Sequence, residues 1–259
     1  MSEARAIELR GLEKSFGRNA VLRGVDLSIE PGETFTILGG SGTGKSVCLK
    51  HMIGLLRPDA GEVVVDGREI GGLSEAALTA VRMEVSMVFQ SAALFDSLTV
   101  YENVAYPLRE HRGWPEAQVA ARVSECLAAV GLVDTEQLMP DELSGGMRKR
   151  VGVARGIALE PRTILYDEPT TGLDPANQRR IGELIRSLQR RLGVTSVIVT
   201  HELELCFAIS DRVGLIKNGR IVAVGSAQEM RHSDHPDVRA FLAGEHDVRE
   251  AGAEAPGRE

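Results

Sequence analysis

Gly39-Gly40-Ser41-Gly42-Thr43-Gly44-Lys45-Ser46 fits the pattern G-x-x-x-x-G-K-[ST] and connects an apolar strand to a following helix, the setting in which that pattern binds phosphate. Its glycines let successive backbone N–H groups turn inward around phosphate oxygens, and the helix presents its positive N-terminal end to the same anion. Lys45 then reaches the β- and γ-phosphates. Ser46 offers its hydroxyl to Mg²⁺, an ion that keeps several waters and takes few protein ligands. A plain glycine-rich turn is the blander reading, but it does not require Gly44, Lys45 and Ser46 together at a strand-to-helix junction.

A second group of residues completes the chemistry. Asp167 ends the apolar run Ile164-Leu165-Tyr166, which puts its carboxylate at the carboxyl edge of a sheet, beside the phosphate loop and on the Mg²⁺ side, acting through water. Glu168 follows, placed to orient or deprotonate an attacking water, a contribution of about 10²–10⁴-fold in rate. An Asp-Glu pair alone is usually a surface turn; after Thr-Ile-Leu-Tyr it closes a buried strand. About a hundred residues beyond the loop, Leu143-Ser144-Gly145-Gly146 opens a helix with Met147, Val151, Ala154 and Ala158 on one face. Ser144 is a good N-cap, and Gly145 and Gly146 expose backbone N–H groups, so this is a second anion site. A capped helix without a ligand fits the same residues. Two anion sites and one complete metal site in a single chain form a puzzle that a dimer would solve.

The elements that position these groups alternate between strand and helix. Ala6 to Arg10, Ala20 to Ile29 and Glu62 to Asp66 predict a small antiparallel sheet. Thr34 to Leu38, Val85 to Phe89, Thr163 to Tyr166 and Thr195 to Val199 carry β-branched runs without clean alternation, as parallel strands covered on both faces do. Asn218-Gly219 between Val213 to Ile216 and Ile221 to Val224 predicts a hairpin. Val119, Val123, Leu127 and Val130 form one helical stripe, with Pro115 before and Gly131 after it; Ile181, Leu184, Ile185, Leu188 and Leu192 form another, stopped by Gly193. The expected fold class is α/β: a parallel-sheet core, an antiparallel β subdomain, and a helical subdomain at about residues 91–160 that carries Ser144. One domain over residues 1–245 and a fraying tail at 246–259 are expected.

Composition narrows the class. The 259 residues are 43% hydrophobic and 26% charged, values of an ordinary globular protein, and the net charge of -7 gives no electrostatic case for nucleic acid. No apolar run approaches the ~20 residues of a spanning helix. The opening Met-Ser-Glu-Ala-Arg-Ala lacks an apolar signal core, so any membrane role is expected to come from a partner. Cys48, Cys126 and Cys206 have no metal spacing and read as reduced, mostly buried residues. His232 and His235 read as part of a solvated loop before Pro236.

On these motifs the chain resembles the nucleotide-binding subunit of ABC transporters across nearly its whole length. Gly39 to Ser46 matches Walker A, Ile164 to Glu168 matches Walker B, and Leu143 to Gly146 matches the signature. Gln90 sits at the Q-loop position, Thr171-Gly172-Leu173-Asp174 looks like the D-loop, His201 looks like the switch histidine, and Phe16 holds the position that stacks on adenine. The resemblance implies ATP and Mg²⁺ as cofactors, with Gln90 near the metal and the attacking water, and His201 at the γ-phosphate. It implies that Ser144, Gly145, Gly146 and Asp174 contact ATP held by the opposite copy of an ATP-dependent homodimer.

Leu94 to Val104, Gly145 to Arg150, Ser46-Val47 through Leu56, and Val238 to Leu242 resemble Mla-type phospholipid-transport ATPases. Many importers carry Pro-His where this chain has Asp96-Ser97, and Gln where it has Met147; the latter departure leaves the phosphate-contacting Ser and Gly residues intact. The resemblance implies a membrane permease, an MCE-domain lipid-binding protein and a STAS-domain protein as partners, on the cytoplasmic face of a bacterial inner membrane. Coupling to a small polar solute such as an amino acid is the alternative. Ribosome- or DNA-directed relatives fit less well, since there is one Walker A, one signature and no room for a long coiled coil. A P-loop kinase or GTPase would not need the signature or His201, and no Asn-Lys-x-Asp segment is present.

Overall fold

The computed structural model describes residues 5–244. Its first strands, β1 (Ile7–Phe16) and β2 (Asn19–Ile29), bury Ile7, Leu9, Leu12, Leu22, Val25 and Ile29. The wholly buried β3 (Thr34–Leu38) runs into the glycine loop and α1 (Lys45–Met52). Next come β4 (Ala60–Val65), the short β5 (Arg68–Glu69), α2 (Glu75–Glu84) and β6 (Val85–Val88). Three helices follow: α3 (Val100–Arg112), α4 (Glu116–Ala129) and α5 (Gly145–Ile157). The chain then makes β7 (Thr163–Asp167), α6 (Pro175–Leu192), β8 (Thr195–Thr200) and α7 (Leu203–Ile209). It closes with β9 (Arg212–Lys217), β10 (Arg220–Ser226), α8 (Ala227–Arg231) and α9 (Pro236–Leu242).

Two sheets result. One is antiparallel, in the order β2-β1-β4-β5; the other runs β10-β9-β3-β8-β7-β6 and is parallel except for the β9–β10 hairpin. Asn218 and Gly219 both have positive φ (50° and 74°), as a two-residue type I′ turn requires. Register then places the chemistry. Leu38 pairs with Thr200, and Asp167 pairs with Val199, so β3, β7 and β8 end together. The glycine loop, Glu168 and His201 therefore leave one edge of three adjacent strands, where open α/β sheets bind ligands.

The helices α3, α4 and α5 bury Val104, Leu108, Val119, Val123, Val151 and Ala154 in a cluster continuous with Tyr166, Ile185 and Ile198 under the sheet. Thr99 and Glu102 form a capping box at the start of α3. The buried Asn103 donates to the carbonyls of Phe95, Leu98 and Thr99 and accepts from the N–H of Phe95, fixing the preceding loop. Pro115 caps α4, and Gly193, at φ 66°, ends α6.

Some expectations shift. β1 continues to Phe16 across a register shift after Leu9, well past Arg10. α6 starts at Pro175, ahead of its apolar stripe, because Asp174 caps it with bonds from Ala176 and Asn177. His235 caps α9, its Nδ1 accepting from the N–H of Asp237, so it belongs to a helix end more than to a loop. Cys48, Cys126 and Cys206 are buried free thiols. Burial pushes Cys48 up to about 12. Among the described residues, no helix is long and apolar enough to cross a membrane, and no cluster of three or more His, Cys, Asp or Glu could hold a metal. The expected tail, residues 246–259, lies outside the described residues.

Candidate functional site

The glycine loop is built by exclusion. A Cβ on Gly39 would lie 2.7 Å from both the carbonyl oxygen and a methyl of Ile216 and 2.8 Å from Thr43 Oγ1, and Gly44 adopts φ 102° with Leu22 2.7 Å from where its Cβ would stand. Gly39→Ala is therefore expected to destabilise the fold by about 1–3 kcal/mol through overpacking. Chemical denaturation would show the stability loss, and ATP titration a parallel loss of affinity.

Lys45 is buried, with its ammonium curled into the loop. Nζ donates to Gly39 O at 2.9 Å and Gly40 O at 2.8 Å, and lies 3.4 Å from Glu168 Oε1. Ser46 Oγ donates to Asp167 Oδ1 at 2.6 Å. The hydroxyl and carboxylate read from sequence as a metal pair are thus neighbours, and two hard oxygen donors suit Mg²⁺. Glu168 Oε2 lies 3.0 Å from His201 Nδ1 and accepts from Thr171 Oγ1 at 3.3 Å. Its backbone sits at φ 45°, a left-handed conformation that costs a non-glycine residue on the order of 1–3 kcal/mol. That conformation is held by a bond from its N–H to Val199 O at 3.0 Å.

Lys45, Ser46, Glu168 and His201 line one cleft of about 500 Å³ with Phe16, Ser41, Gly42, Gly44, Gln90 and Thr171, and Asp167 reaches it through its bond from Ser46. Phe16 leaves 48% of its surface open, as a stacking platform needs. Its base is fixed from below. Lys14 Nζ donates to Arg57 O and Asp59 Oδ1, and Asp59 Oδ2 accepts the N–H of Ser15. Those bonds, Lys14 first, hold the Asp59 carboxyl below the ordinary range.

The signature residues lie elsewhere. Ser144 is exposed and caps α5, its Oγ accepting from Met147 N at 3.2 Å. Gly146 packs against the Asn177 side chain, and Asn177 N–H donates to Asp174 Oδ1 at 3.0 Å. Asp174 and the signature thus meet through Asn177. Neither Asp174 nor Ser144, Gly145 or Gly146 lines the cleft. Within one chain, Lys45, Ser46, Gln90, Asp167, Glu168 and His201 come together, while Ser144, Gly145 and Gly146 lie outside the cleft.

Sequence reasoning missed Lys149. It is buried on α5, and its Nζ donates to the carbonyls of Gln90 and Glu168. Burial pushes its ammonium pKa down, opposed by Glu168, Glu202 and Asp167. A signal was available: Lys149, Gly152, Val153 and Gly156 form a second buried stripe, so α5 is covered on two sides.

The parallel sheet, the glycine loop at its carboxyl edge and the Ser46–Asp167 pair define a P-loop nucleotide-binding domain. Residues 22–171 match the family model described as ABC transporter. The chain is 43% identical over 92% of its length to the probable ribonucleotide transport ATP-binding protein mkl of Mycobacterium tuberculosis, spanning 67% of that protein. It is 46% identical over 91% of its length to the methionine import ATP-binding protein MetN of Symbiobacterium thermophilum, spanning 78% of it. To the intermembrane phospholipid transport system ATP-binding protein MlaF of Escherichia coli it is 41% identical, over 94% of this chain and 90% of that one. Among solved structures, the dimeric post-hydrolysis state of the ATP-binding cassette MJ0796 bound to ADP and Pi superposes with a TM-score of 0.79 at 33% identity, covering 85% of this chain and 98% of that one. The chain belongs to the ABC transporter family and is an ATP-hydrolysing cassette of it.

Proposed function

We propose that this cassette powers phospholipid transport between the inner and outer membranes of a bacterium, as a peripheral subunit on the cytoplasmic face of an inner-membrane permease. The observation that carries the reading is the match to MlaF, which spans 90% of that protein, whereas the mkl and MetN matches span 67% and 78% of longer chains. The segment Leu94 to Val104 supports it, and the same resemblance brings in an MCE-domain lipid-binding protein and a STAS-domain protein as further partners. Coupling to a small polar solute is the second reading, favoured by the 46% identity to MetN.

In this reading Phe16 stacks on adenine, and the backbone of residues 39–46 wraps the phosphates while Lys45 neutralises them. Ser46, Asp167 and Gln90 would hold Mg²⁺, Asp167 through water, and the ion would shield phosphate charge when bound. Glu168 takes the proton of the attacking water, and His201, 3.0 Å from Glu168, faces the γ-phosphate. Ser144, Gly145, Gly146 and Asp174 meet ATP on a second copy, so two chains enclose the nucleotides and separate after hydrolysis. The exposure of Ser144 and its position outside the cleft support this division.

A mild-detergent pull-down from native membranes tests the cargo. Co-purification of a permease with an MCE-domain protein is the expected result. Recovery of a periplasmic solute receptor instead would transfer the assignment to solute import.

A further inference from the structure

Lys149 is 8% exposed, yet its ammonium rests on backbone carbonyls. Burying a lysine charge is costly, and an apolar side chain of similar length would fill the space at lower cost. The carbonyls it holds belong to Gln90 and, at 3.4 Å, Glu168, residues distant in sequence and both in the cleft. Each stands at a strained piece of backbone. Glu168 has φ 45°, and Ala92 and Ala93, just after Gln90, have φ 63° and 47°. Non-glycine residues keep such conformations only where the surroundings over-determine them.

The restraint comes from α5. Arg155 donates to Ala92 O at 2.7 Å and Ala93 O at 2.8 Å. Gly152 lets the helix press against Ala92, since a Cβ there would lie 3.0 Å from that of Ala92. The N-terminal end of the same helix is the exposed Ser144, about 8 Å of helix rise from Lys149. One rigid element thus carries the second anion site at one end and a grip on Gln90 and Glu168 along its side.

We infer that Lys149 is a positioning residue for hydrolysis: it fixes Gln90 and Glu168 relative to the signature helix, so that docking of a second copy's nucleotide on α5 sets the hydrolytic geometry of the chain's own cleft. The inference rests on the roles given to Gln90, Glu168 and the two-copy arrangement under the proposed function.

The test measures kcat, KM and ATP affinity for Lys149→Met, Lys149→Gln and Lys149→Arg in the full-length chain with its membrane partner, beside Glu168→Gln. The expected result for Lys149→Met is a kcat at least about tenfold lower, KM and ATP affinity within about twofold of the parent, and substantial recovery of kcat in Lys149→Arg. Lys149→Gln, which keeps a donor without charge, carries the same comparison if the methionine variant folds poorly. A kcat within twofold of the parent in both neutral variants, a parallel fall of affinity and kcat, or an arginine variant no better than methionine overturns the inference. Parent-level turnover in Glu168→Gln overturns the site reading beneath it; an inactive Glu168→Gln beside a fully active Lys149→Met overturns only the role of Lys149.

Discussion

Glu168→Gln is expected to lower ATP turnover by about 10²–10⁴-fold while ATP still binds. The amide is nearly isosteric with the carboxylate. It keeps one acceptor oxygen, enough for Lys45 or Thr171 but not both, since they lie 3.4 and 3.3 Å from separate Glu168 oxygens. What it loses is basicity, because an amide cannot take a proton from water at neutral pH. What it also loses is a negative charge beside Lys45, in a cleft that must receive phosphate. Removing that charge lowers repulsion toward the anion, so affinity should hold or rise as turnover falls. Binding without hydrolysis then traps the two-copy state. Light scattering of the variant with its membrane partner should show a dimer that depends on ATP and dissolves when nucleotide is removed. A variant that stays monomeric with ATP and partner present would rule out the two-copy mechanism for this chain.

The parts of this site that were legible in the sequence are those encoded by short spacing. Thr34 to Leu38 reads as a buried strand and ends where expected, and the loop from Gly39 to Ser46 carries its conformational demands in its glycines. Ser46 and Asp167 were paired by motif logic and lie 2.6 Å apart. His201 and Gln90 are different: nothing local marks either, and only the order of motifs singles them out. Lys149 was not legible, since its contacts are 59 residues from Gln90 and 19 from Glu168 in sequence, and a charged residue on a helix ordinarily faces water. The start of α6 was displaced for a related reason. Periodicity reports burial, and the first turn of α6 is set by the Asp174 cap instead. β5 pairs through only Val64–Glu69 and Val65–Arg68, too short to leave a pattern.

Lys45→Ala should act on binding where Glu168→Gln acts on turnover. The ammonium is enclosed, so its attraction for phosphate is screened less than that of a surface charge. A hydrogen bond to a charged group contributes about 1.5–3 kcal/mol. Loss of one bond at the top of that range weakens ATP binding by about 10²-fold, and contact with both β- and γ-phosphates makes this a lower bound. The empty protein should suffer as well. Without Nζ, the carbonyls of Gly39 and Gly40 lose a donor and Glu168 loses its nearest cation, which removes the restraint on the loop's curl. Lys45→Arg should not restore binding, because a planar guanidinium cannot replace a compact ammonium seated between two carbonyls 2.9 and 2.8 Å away. Equilibrium dialysis with labelled ATP separates this from a fault in hydrolysis: Glu168→Gln retains nucleotide and Lys45→Ala does not. If Lys45→Ala turned ATP over at the parent rate, the glycine loop would have no part in the mechanism, and the cleft would need another phosphate anchor.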